Sequence, residues 1–243
     1  MPKPCVETMR KLIITEKANA ARRISTILSD GKSHSATSGG VTVISFEAGG
    51  DDYNVISLRG HIIELDYPKE YNDWSSTDPV DLVYAPQIKT VRVKSILNMI
   101  RELTAQSDEI IIATDYDREG ELIGMETVTE IGADMSMVKR AKFSALTKGE
   151  VEKAFDNLTE PDKKLADAAE ARQIVDLSWG AVLTRLISLS SGQVGKNFMS
   201  VGQGAEPHAQ ASRGQTRGDR ELQARSVLEH RGQVRNARVQ GGP

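Results

Sequence analysis

The sequence has a single cysteine, Cys5, among its 243 residues. One cysteine cannot form a disulfide framework, and it excludes a zinc site built from several cysteines. No apolar run approaches the length of about 20 residues that a membrane-spanning helix needs. No secretory signal is visible, because no apolar segment precedes Leu12. We therefore expect a soluble, cytoplasmic protein without membrane contact.

The last part of the chain, 203–243, contains no Lys, Ile, Phe, Tyr, Trp or Met. It carries 7 arginines against 4 acids, whereas residues 1–202 carry 24 basic against 30 acidic side chains. So few apolar groups cannot offset the entropy lost when a chain becomes ordered. This composition predicts a disordered, basic tail after an acidic domain.

Apolar patterning before that tail alternates between strand-like runs and helical spacing. The "GGDD" stretch between two β-branched runs predicts a hairpin. The strand-like segments are "KLIITEK", "VTVISFEA", "YNVISLRG", "DEIIIATD" and "VKRAKFSA". The helical segments are "ANAARRISTIL", "VRVKSILNMIRELTAQ", "REGELIGMETVTEIG", "TKGEVEKAF" with Thr147 as its N-cap, and 162–188. This alternation predicts an α/β fold with a mainly parallel sheet flanked by helices.

Acidic residues follow two of the predicted strands. Glu16 ends the first strand, Asp115 ends "IIIATD", and Asp117 and Glu119 come directly after it. If the two strands are neighbours, these carboxylates meet at one edge of the sheet and repel each other. A Mg²⁺ ion removes that repulsion and also binds phosphate oxygens, which predicts a metal seat for phosphoryl chemistry. The alternative is that Asp117 and Glu119 are solvated acids favoured at a helix start.

Several segments, in order along the chain, resemble type IA DNA topoisomerases of the topoisomerase III and archaeal branch. "ATDYDREGELIG" resembles the Asp-x-Asp-x-Glu-Gly-Glu signature of the Toprim domain, a Rossmann-like fold, and "IITEKANAARRI" resembles the family's first motif. The other segments are "LRGHIIELDYPKEYNDW", "KFSALTKGEVEKAF", "AEARQIVDLSWGAVLTRLIS" and "FMSVGQ". The resemblance implies a leader at 1–9, a Toprim domain at 10–158, the incomplete start of a helical core domain at 159–202, and then the tail.

The resemblance implies roles for the acids and their neighbours. Asp115, Asp117, Glu119 and Glu16 match positions that hold Mg²⁺ near the scissile phosphate. Glu16 would also act as a general acid towards the leaving 3′-oxygen. Lys17 would offset charge on the phosphate. Arg118, also assigned to catalysis, would pair with carboxylates or with phosphate.

The resemblance also implies contacts with single-stranded DNA, the expected partner of a monomeric enzyme. Arg172, Asp176 and Arg185 match family positions on the long helix, and Lys17 and His61 complete the predicted DNA-binding set. The alternative for the helix residues is an ordinary solvated face, and for His61 a structural histidine beside a turn. We expect Trp179 to lie in the core rather than to stack on bases.

The resemblance stops after Gly202, where the family continues Arg-Val-Gln-Ser-Pro-Thr-Leu. The residues present, "QGAEPHAQASRG", can be encoded by codons that yield this missing motif when they are read one base out of register. We therefore hypothesise that the tail is a frameshift product; the alternative is a genuine basic tail that binds nucleic acid.

The frameshift hypothesis predicts the nucleotide sequence across Gly202. Sequencing the coding DNA should reveal codons that restore the motif in the shifted frame. Codons that cannot yield Arg-Val-Gln-Ser-Pro-Thr-Leu in that frame would refute the hypothesis.

The sequence has 5 tyrosines, and none lies in a segment like the family's nucleophile motif. The resemblance therefore implies a fragment that cannot perform strand passage alone. Two other functions stay open: a Toprim nuclease or primase-like enzyme that uses Mg²⁺ and water, and a non-catalytic DNA-binding module. The acidic balance before the tail speaks against broad non-specific binding of nucleic acid.

Overall fold

The computed structural model describes residues 8–74, 76–193 and 198–201. The strands within these ranges are Arg10–Thr15 (β1), His34–Ser38 (β2), Val41–Ala48 (β3), Asp51–Ser57 (β4), Ile63–Asp66 (β5), Ile88–Val91 (β6), Glu109–Ile112 (β7) and Val138–Arg140 (β8). The α-helices are Ala18–Leu28 (α1), Asp81–Tyr84 (α2), Lys94–Thr104 (α3), Arg118–Glu130 (α4), Lys148–Asp156 (α5) and Lys163–Ser190 (α6). Lys69–Asn72 and Met135–Met137 form 3₁₀ turns.

Six of these strands form one sheet in the order β2-β3-β4-β1-β7-β8. The pairs β4–β1, β1–β7 and β7–β8 are parallel, while β2–β3 and β3–β4 are antiparallel. Gly49 and Gly50 close the β3–β4 hairpin with φ of +64° and +91°, a conformation that glycine adopts at little cost. The predicted fold class, a mainly parallel sheet flanked by helices, and the predicted hairpin are both confirmed.

The two central strands, β1 and β7, are apolar on both faces because helices cover both sides of the sheet. Leu12 and Ile14 pack with Ile110 and Ile112 against residues of α3 and α4. The alternate residues Ile13 and Ile111 face the other side, where residues of α1 and α5 pack. The unbroken apolar runs in the sequence therefore reflect burial on both faces.

Some elements differ from the sequence-based prediction. Val91 was predicted within a helix, but it belongs to β6 and pairs with Ile63 of β5, so α3 begins only at Lys94. The strands β5 and β6 are four residues long and partly exposed, which leaves little hydrophobic periodicity to detect. Thr147 occupies the N-cap position of α5 as predicted, but its side chain makes no capping hydrogen bond.

The longest helix, α6, packs against α4 through a small cluster of Leu122, Ala166 and Ala169. Beside that cluster, the Lys89 ammonium lies 3.0 Å from a carboxylate oxygen of Glu126 and 2.6 Å from one of Glu170. These contacts join β6, α4 and α6.

Further along α6, the expectation that Trp179 is a core residue is wrong, because its side chain is 67% exposed. It shares the outward face of the helix with Val175. Among the described helices, none combines the length and apolarity that a membrane span requires.

The predicted boundary between 158 and 159 stays a prediction. The predicted tail lies outside the described residues, and so does most of the predicted leader.

Gly124 lies where α4 packs on β7. A substitution at this position tests how closely the helix and the strand approach each other. A Cβ at Gly124 would lie 2.3 Å from Cγ2 of Ile112, which is fully buried. Gly124→Ala should therefore lower the free energy of unfolding by about 1–3 kcal/mol. Gly149→Ala in α5 is the control, because its Cβ meets nothing within 4 Å, and it should be neutral or stabilise by up to about 1 kcal/mol. Urea denaturation measures both changes, and equal effects would contradict the packing.

Candidate metal centre

Parallel pairing of the central strands brings two of the predicted acids to one edge of the sheet. Ile14 of β1 lies opposite Ile112 of β7, and the Ala113 amide donates to the Ile14 carbonyl at 2.8 Å. Glu16 and Asp115 follow these strand ends, and parallel strands end at the same edge. The two carboxylates therefore meet beyond neighbouring strands.

Lys17 lies between these two carboxylates. Its ammonium nitrogen is 2.8 Å from Oδ2 of Asp115 and 3.3 Å from Oε1 of Glu16. Hydrogen bonds to Asp115 and Glu16 raise the pKa of Lys17 above its ordinary value. The side chain remains 61% exposed, so solvent screens the pair strongly. The exposed Lys17 ammonium thus offsets the charge of both carboxylates at this edge.

Asp117 and Glu119 belong to the turn that starts α4. Oδ1 of Asp117 accepts a hydrogen bond from the Gly120 amide at 2.7 Å and caps the helix. Oε2 of Glu119 lies 3.9 Å from Nε2 of His61, which follows β4. The turn is tight, because a Cβ at Gly120 would lie 2.1 Å from the Asp115 carbonyl oxygen. Glycine at this position lets the acidic turn fold back on itself.

The donor chemistry of this cluster suits a hard divalent cation. Within the described ranges, no three His, Cys, Asp or Glu side chains are arranged to hold a metal ion as they stand. Mg²⁺ does not need such a cage, since it commonly binds one or two carboxylates together with water and substrate phosphate. Asp115 and Asp117 are the first candidates. Glu16 is joined to Asp115 through Lys17, and Glu119 lies in the first turn of α4, which Asp117 caps.

A buried ion pair fixes the backbone beneath these acids. Nε of Arg140 donates to Oε2 of Glu121 at 2.7 Å, and both side chains are 0% exposed. The remaining guanidinium nitrogens of Arg140 donate to backbone carbonyls at 2.8–3.1 Å. These carbonyls belong to Ile112, Thr114, Asp115 and Ala141. Arg140 therefore holds the chain from the end of β7 to the first acid of the cluster.

The Arg140–Glu121 pair also contacts the start of α6. Oε1 of Glu121 accepts a hydrogen bond from the Asp162 amide at 2.6 Å, and Asp162 is the N-cap of α6. The start of α6 is thus tied to the acidic turn through one carboxylate. We did not predict Arg140 from the sequence, because an arginine at the end of a short strand has the pattern of a surface residue.

The other predicted residues lie outside this cluster or at its margin. Arg118 is the first residue of α4 and is exposed. Arg172 and Asp176 form an i,i+4 ion pair on α6 with 3.4 Å between Nε and Oδ2. Their roles in DNA binding stay predictions.

Arg185 is buried, unlike Arg172 and Asp176, and its role in DNA binding also stays a prediction. It is 5% exposed, and its guanidinium donates to the Tyr71 carbonyl and lies 5.4 Å from the centre of the Trp74 ring. Burial lowers the pKa of Arg185. In this arrangement Arg185 holds the loop after β5 against α6.

The fold and this site together define a class of protein. The Toprim domain family matches residues 11–146, a span that runs from β1 to the turn before α5 and includes Glu16 and the acidic turn. The chain therefore belongs to the Toprim domain family.

Proteins similar in sequence to this chain identify the subgroup of Toprim proteins that it resembles. The chain is 44% identical over 197 residues to DNA topoisomerase 1 of Thermoplasma acidophilum, covering 81% of this chain and 26% of that protein. It is 45% identical over 202 residues to DNA topoisomerase 1 of Archaeoglobus fulgidus, covering 82% and 30%. It is 35% identical over 189 residues to DNA topoisomerase 3-beta of Arabidopsis thaliana, covering 73% and 22%. The predicted similarity to type IA DNA topoisomerases is confirmed, and the chain spans less than a third of these relatives.

The buried pair can be tested by removing one charge without changing shape. Glu121→Gln leaves the Arg140 guanidinium buried without a counter-charge, so it should lower the free energy of unfolding by about 3–5 kcal/mol. Glu119→Gln is the matched control, since it lies two residues earlier in α4 with its side chain 37% exposed. This control should change stability by less than about 1 kcal/mol. Chemical denaturation of both variants compares them, and equal losses would contradict a special role for the buried pair.

Proposed function

We propose that this chain supplies the Mg²⁺-dependent part of a type IA topoisomerase reaction, the transient cleavage and religation of single-stranded DNA. The observation that carries the proposal is the meeting of Glu16 and Asp115 at one sheet edge, with Lys17 between them. The similarity to proteins named DNA topoisomerase 1 supports DNA as the substrate. The monomeric state and the cytoplasmic location stay predictions.

Each charged group of the cluster has a distinct part in this proposal. Asp115, Asp117 and Glu119 would hold Mg²⁺, with Glu16 close by. When bound, the ion would offset negative charge on the scissile phosphate. Glu16 would give a proton to the leaving 3′-oxygen, a task for an acid within hydrogen-bond reach of that atom.

Lys17 has a separate part in this proposal. Its ammonium contacts the carboxylates of Glu16 and Asp115. Because this ammonium is exposed, it would also be able to contact a phosphate oxygen of the substrate as a point charge. The same side chain would therefore offset the charge of the acids and position the substrate.

The chain itself would not supply the nucleophile. Tyr67 is buried and donates to the Leu82 carbonyl at 2.9 Å, and the Tyr53 ring stacks on Phe46. Tyr116, in the acidic turn, and Tyr84 are exposed, but neither lies in a segment that resembles the family's nucleophile motif. We therefore propose that cleavage needs a tyrosine from outside this polypeptide.

Metal binding by the acids predicts a specific loss of thermal stabilisation. Mg²⁺ should raise the melting temperature of the parent chain, because binding to the folded state adds RT ln(1 + [L]/Kd) to stability. Asp115→Asn/Asp117→Asn should abolish that increase, because it deletes two anionic ligands. Asp156→Asn/Asp167→Asn removes the same charge outside the cluster and should retain the Mg²⁺ response. A retained response in the Asp115/Asp117 variant would contradict the site.

The proposed lack of a nucleophile predicts that this chain binds DNA without cleaving it. With Mg²⁺ and a labelled single-stranded oligonucleotide, the chain should form no denaturant-resistant covalent adduct, and it should not nick supercoiled DNA. Gel electrophoresis under denaturing conditions measures both. An adduct that Tyr116→Phe abolishes would show that this chain carries its own nucleophile, and robust Mg²⁺-dependent nicking without an adduct would favour a Toprim nuclease.

A further inference from the structure

A pocket lined by two arginines lies beside the acid cluster of Glu16 and Asp115. It has a volume of about 350 Å³ and is bounded by α1, the β2–β3 hairpin and the segment after β4. Arg22 and Arg59 line it together with hydroxyl-bearing residues, among them Ser35, Thr42 and Ser57. Among the described residues that line it there is no Asp or Glu, although acidic residues outnumber basic ones in the whole chain.

The two arginines have no carboxylate partner within the part of the chain that the structure describes. Arg22 donates to the side-chain oxygen of Asn19 at 2.7 Å, and Arg59 donates to the Gly40 carbonyl at 2.8 Å. Each guanidinium has five N–H donors, so most of these donors remain for a ligand. Two unneutralised guanidiniums beside hydroxyl donors are suited to a phosphate group.

The backbone fixes Arg59 at this place. Arg59 adopts φ of +63°, a left-handed conformation that is uncommon for a residue with a side chain. The bond to Gly40 anchors its guanidinium to the turn before β3. The cation is therefore held at the wall of the pocket.

The pocket and the acid cluster share one edge of the sheet. Ala18, which lines the pocket, directly follows Lys17, and the Gly60 amide donates to the Glu16 carbonyl at 3.2 Å. The acids follow β1 and β7, while the pocket follows β4 on the other side of β1. Neighbouring strands are about 4.8 Å apart, so one extended ligand can span both places.

We propose that this pocket binds a backbone phosphate of the DNA strand whose adjacent phosphate lies at the acid cluster. The inference rests on the proposed function, because it takes the same strand as ligand. Arg22 and Arg59 would hold the phosphate, and the hydroxyl groups would donate to its remaining oxygens. The pocket would fix the direction in which the strand leaves the metal centre.

Binding of single-stranded DNA tests the proposal directly. A labelled oligodeoxythymidylate is titrated with the full chain in Mg²⁺, and fluorescence anisotropy is followed at several salt concentrations. Arg22→Gln/Arg59→Gln should weaken binding by about tenfold or more. It should also reduce the slope of log K against log salt by about 0.7, as expected for one lost phosphate contact on a single strand.

The control pair removes the same charge elsewhere. Arg23 lies next to Arg22 on α1 but donates to the Leu146 carbonyl, and Arg101 lies 3.7 Å from Glu130. Arg23→Gln/Arg101→Gln should bind like the parent chain. Arg22→Gln alone should give part of the loss, and it leaves the left-handed residue Arg59 unchanged in case the double variant unfolds.

The outcomes separate this proposal from the function on which it rests. A parent chain that binds no single-stranded DNA would overturn both. A parent chain that binds, with both double variants equal to each other, would overturn the pocket alone. Inorganic phosphate gives a last comparison: if the pocket variant loses stabilisation by free phosphate but keeps parental DNA affinity, the pocket serves a free phosphate ligand and the assignment to DNA is wrong.

Discussion

The buried pair of Arg140 and Glu121 is the interaction on which the candidate site depends. Two charges at 0% exposure are unfavourable unless nearly every donor and acceptor is paired. Here carbonyls at the end of β7 satisfy the guanidinium, and the Asp162 amide satisfies the second carboxylate oxygen. Because these bonds require one geometry, the acidic turn and the start of α6 cannot shift independently.

Next to this buried pair, acidic side chains meet at the edge of the sheet, and the exposed Lys17 ammonium offsets their charge. Parallel pairing of β1 and β7 sets Glu16 beside Asp115, and Lys17 offsets both. On the other side of β1 the charge reverses, because Arg22 and Arg59 line a pocket whose described lining residues include no acid. An edge with adjacent negative and positive sites suits a ligand that carries a metal-bound phosphate and a second phosphate.

Much of this arrangement could be predicted from the sequence, since it follows from local pattern. Apolar runs that end in acids predicted β1, β7 and the shared edge, and the glycines of "GGDD" predicted the hairpin. Other features depend on contacts between distant segments. Arg140 and Glu121 are 19 residues apart, and each has the pattern of a surface residue until the sheet and α4 come together. The exposure of Trp179 was misjudged, and the burial of Arg185 was not foreseen, because helical spacing along α6 does not reveal which face the loop after β5 covers.

The central claim is that the acids at the carboxyl edge bind a divalent cation. Mn²⁺ takes the same oxygen ligands as Mg²⁺ and broadens the NMR signals of nuclei close to it. Titration of isotope-labelled chain with Mn²⁺ should therefore broaden the amide signals of Glu16, Lys17 and residues 115–120 first, and excess Mg²⁺ should restore them. Early broadening around Lys89, Glu126 and Glu170 instead, or no selective broadening at all, would contradict the account.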